Sequence, residues 1–356
     1  MPDAAPNDQN LLAELTQLKQ KADAATLPED LKANIDQMLS RLQRMASLST
    51  YSEEYDRTSH YIDWIVSLPW DKKSDDVMDL VKTKEVFEKH HFGMVDVKER
   101  FFEYVSVLKL KAGQEGTKGI VHAPVLLLVG LVGTGKTTFA YSLAEALGRK
   151  IVRIPFGGMS SARDLRGQSR LHLEAEPGYI IKSLRQAGVR NPVILLDEID
   201  RVSDDTRGEI MGVLVELLDP EQNKAFTDYY IDYPFNLSEA IFIATANNTE
   251  KVATAVLDRL ETITMPSYTD EEKIQIGKNY LLPQALVEAG LKPEQLMIEE
   301  ALWPQIVRPL GYDAGIRTLQ RTVKGIARKS AKQIVEGSLQ QVVMNQSNIK
   351  EYLPTY

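Results

Sequence analysis

One eight-residue segment constrains the fold of this chain more than any other. Residues 130–137 read Gly-Leu-Val-Gly-Thr-Gly-Lys-Thr and match the pattern G-x-x-x-x-G-K-[ST]. An apolar run precedes the segment and an amphipathic stretch at 138–147 follows it, so a strand, a loop and a helix are expected in that order. The pattern arises by chance about once in a hundred sequences of this composition. It therefore predicts a phosphate-binding loop at the start of a helix.

Each residue type in this loop has a physical reason to be there. Glycines let successive backbone N–H groups face phosphate, and the N-terminus of the following helix adds partial positive charge. Lys136 is expected to contact the β and γ phosphates, and Thr137 to hold Mg²⁺. ATP and Mg²⁺ are thus the expected cofactors. The predicted nucleotide contacts of the loop are Gly130, Leu131, Val132, Gly133, Thr134, Gly135, Lys136, Thr137 and Thr138.

A second motif is an apolar strand that ends in two acids. Residues 193–196 precede Asp197 and Glu198, and parallel strands end at the sheet edge where ligands bind. Asp197 is predicted to hold Mg²⁺ together with Thr137, and Glu198 to polarise the attacking water. Such acids also cap helices or face solvent, but their position 60 residues after the loop favours ATP hydrolysis.

The order of apolar runs predicts the fold class. Short runs rich in Val, Ile and Leu alternate with helix-length segments, as buried parallel strands do. The runs lie at 125–129, 151–154, 193–196, 240–244 and 262–265. The pattern predicts an α/β domain with a doubly wound parallel sheet at residues 86–266. A small all-helical lid is predicted at 267–356, and a helical arm at 1–85 whose three helices are too polar to form a core alone.

Composition excludes several classes of protein. The 42 Lys and Arg residues against 50 Asp and Glu residues give a net charge of -8, which disfavours nucleic acid or anionic membranes as the main partner. The absence of cysteine excludes disulfides and Cys-based zinc sites, so no structural metal is expected. No apolar run approaches the roughly 18 residues of a membrane helix, and we recognise no leader sequence. A cytoplasmic location and no membrane partner are expected.

The motifs occur in the order found in a known class. The acids of Asp197-Glu-Ile-Asp200, a strand that ends at Asn247, and Leu257-Asp-Arg259 follow the phosphate loop as in AAA+ ATPases. Further stretches resemble the ATPase module of Lon proteases: 61–70, 191–200, 218–226 and 314–317. The resemblance covers nearly the whole chain from about residue 10. It implies that the arm is the helical neck of that family.

The resemblance implies roles for three residues whose own patterns leave them open. It implies that Asn247 orients water, that Arg317 contacts the γ-phosphate from the lid, and that Arg259 reaches the nucleotide of a neighbouring subunit. Without it, Asn247 could cap a turn and Arg317 could be a solvated helix residue. Arg259 could pair with Asp258 or Glu261.

Other positions match the family less closely. Phe92 and Met94 resemble its adenine contacts, although a place in the hydrophobic core is an equally good interpretation. The family usually carries a Pro-Pro pair where residues 131 and 132 stand here, which changes the stiffness of the loop but leaves its N–H groups available.

An exposed loop with Leu171, His172 and Leu173 is predicted to contact substrate, and His172 replaces the aromatic residue with which the family grips substrate. Alternatively the leucines tuck under the loop.

The implied function is that of an ATP-dependent unfoldase and translocase. The resemblance implies a homohexameric ring that pulls polypeptide substrates. A peptidase domain normally follows the lid, but the sequence ends at Tyr356 and offers no serine–lysine pair in a domain of adequate size, so no peptidase activity is expected in this chain. The chain is then either a fragment of a full protease or a stand-alone motor, alone or with a separate peptidase.

A nucleic-acid-associated motor or loader is the alternative class. Four basic residues share one helical face, at positions 317, 321, 324 and 328. No aromatic residues interleave this stripe for base stacking, and the chain is acidic overall. Nucleic acid is therefore not expected to be the main substrate.

Overall fold

The computed structural model describes residues 8–47, 53–112, 124–172, 174–308, 315–337 and 339–353. Its strands, numbered in chain order, are β1 (Val125–Val129), β2 (Ile151–Pro155), β3 (Val193–Asp197), β4 (Phe226–Thr227), β5 (Pro234–Phe235), β6 (Ile241–Ala246), β7 (Leu260–Thr264), β8 (Leu296–Ile298) and β9 (Val342–Met344). Its α-helices are α1 (Asp8–Ala24), α2 (Glu29–Ser47), α3 (Glu53–Ser67), α4 (Leu80–His90), α5 (Val95–Ala112), α6 (Lys136–Leu147), α7 (Arg163–Arg166), α8 (Tyr179–Ala187), α9 (Arg207–Leu218), α10 (Thr254–Leu257), α11 (Asp270–Ile276), α12 (Leu282–Glu288), α13 (Trp303–Val307), α14 (Arg317–Val335) and α15 (Ile349–Tyr352).

Five parallel strands form the central sheet, in the order β2-β3-β6-β1-β7. All five apolar runs of the sequence are strands of this sheet, with ends shifted by one or two residues at most, so the predicted α/β class is confirmed. Strands β3 and β6 are buried at every residue. Consecutive residues of a strand point to opposite faces of the sheet. Leu127 therefore joins the core on one face, and Leu126 and Leu128 join the core on the other.

The helical arm packs against the first of these faces. Helices α1, α2 and α3 contact one another, and their apolar residues belong to the same core as α8 and α9. The guanidinium of Arg185 on α8 lies 4.2 Å from the ring centre of Trp64 and also binds the carboxylate of Asp63 at 2.7 Å. The apolar residues of the arm therefore form a common core with the sheet domain.

The boundary predicted between arm and sheet domain falls inside a helix. Helix α4 spans residue 86 and packs against α6, the helix that follows the phosphate loop. His91, which ends α4, stacks on Phe139 with ring centres 3.7 Å apart, and its Nε2 lies 2.8 Å from Ser142 Oγ. A division at residue 86 would therefore cut an element that supports the loop, and the domain limits stay a prediction.

The lid is mainly helical, but the prediction that it is entirely helical is wrong. Helices α11 and α12 are joined by a π-helical segment at Gly277–Leu281, and α13 and α14 complete the bundle. Strands β8 and β9 pair in parallel, with Leu296 opposite Val342. Each has only three residues, which is too short for an alternating pattern to be recognised. No helix in the described ranges is long and apolar enough to cross a membrane.

Candidate functional site

The phosphate-binding motif forms a turn between β1 and α6. Gly133 and Gly135 have positive φ angles of 84° and 96°, which L side chains rarely adopt. The side chain of Thr134 is fully buried and donates to the carbonyl of Leu131 at 2.9 Å, whereas Leu131 itself is 53% exposed. Thr138 Oγ1 donates to the carbonyl of Gly135 at 2.7 Å. Hydrogen bonds within the turn therefore stabilise its conformation, while its outer surface is accessible to solvent.

Lys136 connects the loop to the carboxyl ends of the neighbouring strands. Its Nζ donates to the carbonyl of Gly130 at 2.7 Å, to that of Leu131 at 3.0 Å, and to Asn247 Oδ1 at 3.2 Å. Burial lowers the pKa of Lys136, while nearby carboxylates, Asp200 foremost, act in the opposite direction. A phosphate bound here would add negative charge and stabilise the ammonium form. The structure therefore places Lys136 beside Asn247.

Asp197 is held by three side chains from three elements. Its Oδ1 accepts from Thr245 on β6 and lies 3.4 Å from Thr137 Oγ1 on α6. Its Oδ2 accepts from Arg153 Nε on β2 at 2.7 Å, and the Asp197 side chain is only 5% exposed. Sequence reasoning assigned no role to Thr245 or Arg153. A charged residue inside the apolar run 151–154 was the available signal for Arg153.

A third acid joins the predicted pair. Asp200 follows in a short 3₁₀ turn and accepts the backbone N–H of Asn247 at 3.0 Å through Oδ2. Its Oδ1 is buried, and among the described residues no donor reaches it. Because buried polar atoms usually have partners, this oxygen marks a place for a water molecule or a ligand. Asp200 belongs to the acidic motif at residues 197–200, but the motif alone does not predict a role for it.

Glu198 has a strained backbone that fixes the direction of its side chain. Its φ angle is 58°, an uncommon value for a residue with a Cβ. The backbone N–H of Glu198 donates to Thr245 Oγ1 at 2.8 Å, and its carboxylate lies 3.4 Å from Arg201 Nε. Strain of this kind concentrates at functional sites. The carboxylate is 27% exposed and so can meet water.

The lid contacts the phosphate loop directly. The N–H of Ile316, which precedes α14, donates to the carbonyl of Gly133 at 3.1 Å. A Cβ atom on Gly315 would lie 2.4 Å from the carbonyl oxygen of Val132. Arg317 begins α14 and is exposed, and its Cγ would lie 3.3 Å from a Cβ on Gly133. The start of α14 is therefore next to the loop, as the predicted role of Arg317 requires.

We expect Gly315→Ala to weaken nucleotide binding about tenfold, because overpacking of about 1.4 kcal/mol would separate α14 from the loop. Gly325→Ala is the matched control, since a Cβ at Gly325 on the same helix meets nothing within 4 Å. Titration with a fluorescent ATP analogue measures both affinities. Equal affinities for the two variants would show that the close approach of Gly315 to the phosphate loop does not affect nucleotide binding.

Arg259 lies apart from these residues. It sits between α10 and β7, where Nη1 donates to the carbonyl of Ala255 at 2.7 Å and Nη2 binds Asp219 Oδ2 at 3.3 Å. The pairing with Asp258 or Glu261 that the sequence left open is not the one the structure shows. Nε of Arg259 is buried without an acceptor in the described part of the chain.

The two residues predicted to contact adenine lie between the core and the lid. Met94 is 7% exposed and belongs to the core on the α6 face of the sheet. Phe92 is partly buried, and its ring centre lies 6.4 Å from that of Tyr280 in the lid. Both therefore have packing roles, and the adenine contact stays a prediction.

The loop predicted to contact substrate extends away from the core. Leu171 is 89% exposed and His172 is also exposed, so Leu171 does not tuck under the loop. Leu173 lies outside the described residues.

Asp228 connects the two ends of the segment 167–178 that contains this loop. It accepts the N–H of Gly178 at 2.7 Å, and a Cβ on Gly167 would lie 2.8 Å from its Oδ1. Burial raises the pKa of Asp228 to about 6.

A parallel five-stranded sheet with a phosphate loop, acids at strand ends and a lid over the loop defines a class, the AAA ATPases. Residues 126–268 match the model of the ATPase family associated with various cellular activities (AAA). Residues 287–343 match the Lon protease AAA+ ATPase lid domain. The chain therefore contains an AAA ATPase domain followed by a lid domain of the Lon type.

Curated relatives carry the name of the same family. Lon protease 2 of Thermus thermophilus is 41% identical over 345 residues, which are 96% of this chain and 42% of that protein. Lon protease of Dictyoglomus thermophilum is 41% identical over 341 residues, again 96% of this chain and 42% of the relative. The chain thus spans about two fifths of the length of these relatives.

The residues present fit a magnesium nucleotide. The hydroxyl and carboxylate of Thr137 and Asp197 are hard oxygen donors of the type Mg²⁺ prefers. The orphaned Asp200 Oδ1 offers a further acceptor for a coordinated water. Positive-φ glycines give the loop the curvature that phosphate recognition uses. The domain match implies nucleotide binding, and these residues are the ones that would provide it.

Proposed function

We propose that this chain is a motor that hydrolyses ATP with Mg²⁺ and uses the energy to unfold polypeptides and pull them through a homohexameric ring in the cytoplasm. The observation that carries the proposal is the convergence of Lys136, Asp197, Glu198 and Asn247 at one edge of the sheet. Relatives that bear the name protease act on polypeptides, which supports a polypeptide substrate.

Each of these residues has a separate role in the proposed hydrolysis. Lys136 and the N–H groups of the loop bind the phosphates, and Thr137 with Asp197 would hold Mg²⁺. When bound, Mg²⁺ neutralises charge on the phosphate oxygens. Glu198 accepts a proton from the attacking water, and Asn247, fixed through its N–H by Asp200, orients that water.

Two arginines complete the proposed machinery. Arg317 approaches the phosphates from the lid, and its position beside the loop supports this role. Arg259 is proposed to act on the nucleotide of the neighbouring subunit. A residue that acts in trans requires head-to-tail contacts, and these close into a ring when the rotation allows.

The alternative of a nucleic-acid motor receives less support from the contacts. Lys324, in the basic stripe of α14, pairs with Glu288 at 2.7 Å, so part of the stripe serves an ion pair within the lid. The net charge of -8 opposes binding of a polyanion. An electrophoretic shift of DNA that weakens with salt would favour the alternative.

The proposal is tested by unfolding of a tagged fluorescent protein and by stimulation of ATP hydrolysis with casein. We expect both for the wild-type chain under conditions where rings form, and neither for Lys136→Ala. Leu171→Ser is expected to keep basal hydrolysis within about twofold yet lower unfolding about tenfold, because it removes about 1.5 kcal/mol of apolar contact. An equal fall in both activities would assign Leu171 a structural role instead.

A further inference from the structure

An exposed tyrosine is held in a fixed position beside the loop that carries Leu171. Tyr229 lies in the turn between β4 and β5 and is 50% exposed. Its hydroxyl accepts from Arg166 Nη1 at 3.1 Å, and its backbone N–H donates to the carbonyl of Arg166 at 2.7 Å. The guanidinium carbon lies 5.5 Å from the ring centre. Three contacts therefore restrain a ring that still faces solvent.

Arg166, which restrains this ring, is itself fixed. It forms an ion pair with Glu216 on α9, and its guanidinium lies 5.6 Å from the ring centre of Phe226. Its side chain is only 14% exposed. Arg166 is therefore paired within the protein, and it supports Tyr229 rather than acting as a surface cation.

Tyr229 and the predicted substrate loop form one concave surface. A cavity of ≈ 750 Å³ is lined by Leu171, His172 and Tyr229, together with polar or small residues of the loop. Asp228, next to Tyr229, binds the N–H of Gly178 at the far end of the loop region. Because one buried carboxylate connects the two segments, they are expected to move as a unit.

We propose that Tyr229 contacts the polypeptide in the pore and supplies the aromatic surface that the loop lacks at His172. This inference rests on the proposed function. An aromatic ring offers a large apolar area at a low cost in conformational entropy. With its hydroxyl bound to Arg166, the ring presents mainly apolar surface, which suits the side chains of an unfolded polypeptide of any sequence.

The cavity carries charges of both signs. Arg163 and Arg170 line it, and the guanidinium carbon of Arg170 lies 3.9 Å from the ring centre of Tyr61 on the arm. Asp232 also lines the cavity and adds negative charge. Single-stranded nucleic acid binds through cations that pair with phosphates, so crosslinking to DNA is measured beside crosslinking to casein.

The test compares three variants in the same assays of basal ATP hydrolysis, casein stimulation and unfolding. Tyr229→Ala is expected to lower unfolding and casein stimulation about tenfold, with basal hydrolysis within about twofold of the wild type. Tyr229→Phe keeps the ring and is expected to stay within about twofold in every assay. Tyr141→Ala, which removes a 45% exposed tyrosine from α6, is the matched control and is expected to change nothing.

Direct contact is measured by replacing Tyr229 with the photo-crosslinking amino acid p-benzoylphenylalanine, and Tyr141 likewise as a control. ATP-dependent crosslinks to casein from position 229 alone would support the proposal. Normal unfolding by Tyr229→Ala, an equal loss of basal hydrolysis, or crosslinks to single-stranded DNA in place of casein would each overturn it. If the wild-type chain itself fails to unfold substrate, the proposed function fails, and that outcome is distinct from failure of Tyr229 alone.

Discussion

Glu198→Gln is expected to lower ATP turnover by about 10³ while nucleotide affinity stays within a few-fold of the wild type. General-base catalysis contributes about 10² to 10⁴ in rate, and glutamine cannot accept the proton. The amide has nearly the same shape as the carboxylate, so the loop and Lys136 should still bind the phosphates. Phosphate release and binding of a fluorescent ATP analogue, measured on the same preparation, separate the two effects.

The structure gives a reason to expect a large effect at this position. The backbone of Glu198 is held in an uncommon conformation by the hydrogen bond from its N–H to Thr245, and Thr245 also donates to Asp197. The direction of the proposed catalytic carboxylate is thereby linked to that of the proposed metal ligand. Only Arg201, at 3.4 Å, pairs with the Glu198 carboxylate among the described residues.

Glu209→Gln provides the matched control for this prediction. Glu209 is an exposed glutamate on α9, in the segment that follows Glu198. It should retain full turnover, because an isolated surface charge has little effect. If Glu198→Gln released phosphate at the wild-type rate, the base would have to be another residue, and Asp200 would be the first to examine.

The core of the site could be predicted because its residues are close in sequence to a strand end. Lys136 and Thr137 belong to one continuous motif, and Asp197 and Asn247 each end a strongly apolar strand. Parallel strands that share a sheet bring these ends together whatever the intervening loops do. Strands β1, β3 and β6 are buried on both faces, so their nearly continuous apolar runs gave a clear signal.

The features that could not be predicted depend on contacts between distant segments. Arg153 binds Asp197 because β2 and β3 are neighbours in register, which only the strand order determines. Gly315 contacts the phosphate loop because the lid folds back over it. Tyr229 stands beside Leu171 because Asp228 connects two loops. A charge inside an apolar run marks Arg153 as unusual, but no local pattern of residues identifies its partner, or the partners of Gly315 and Tyr229.

Arg259→Ala is expected to lower ATP turnover by about 10³ or more, the effect of removing an arginine that stabilises transferred phosphate. Arg259 does not approach the phosphate loop of its own chain, since Asp219 and the carbonyl of Ala255 hold it near α10. Its single contact to Asp219, at 3.3 Å, is long for a charge-assisted bond. The residue is thus in a position to exchange this partner for a nucleotide on a neighbouring subunit.

Mixed rings distinguish action on a neighbour from action within one chain. In a ring made from equal parts of Arg259→Ala and Lys136→Ala subunits, a site is complete when the Lys136 of one subunit meets the Arg259 of the next. Random mixing makes about a quarter of the sites complete, so turnover should return to about a quarter of the wild-type value. Arg100→Ala, which removes a surface arginine paired with Glu103 and Glu261, should have no effect alone. If subunits with different tags co-purify in one ring and turnover does not recover, Arg259 acts within its own chain or only through its bond to Asp219.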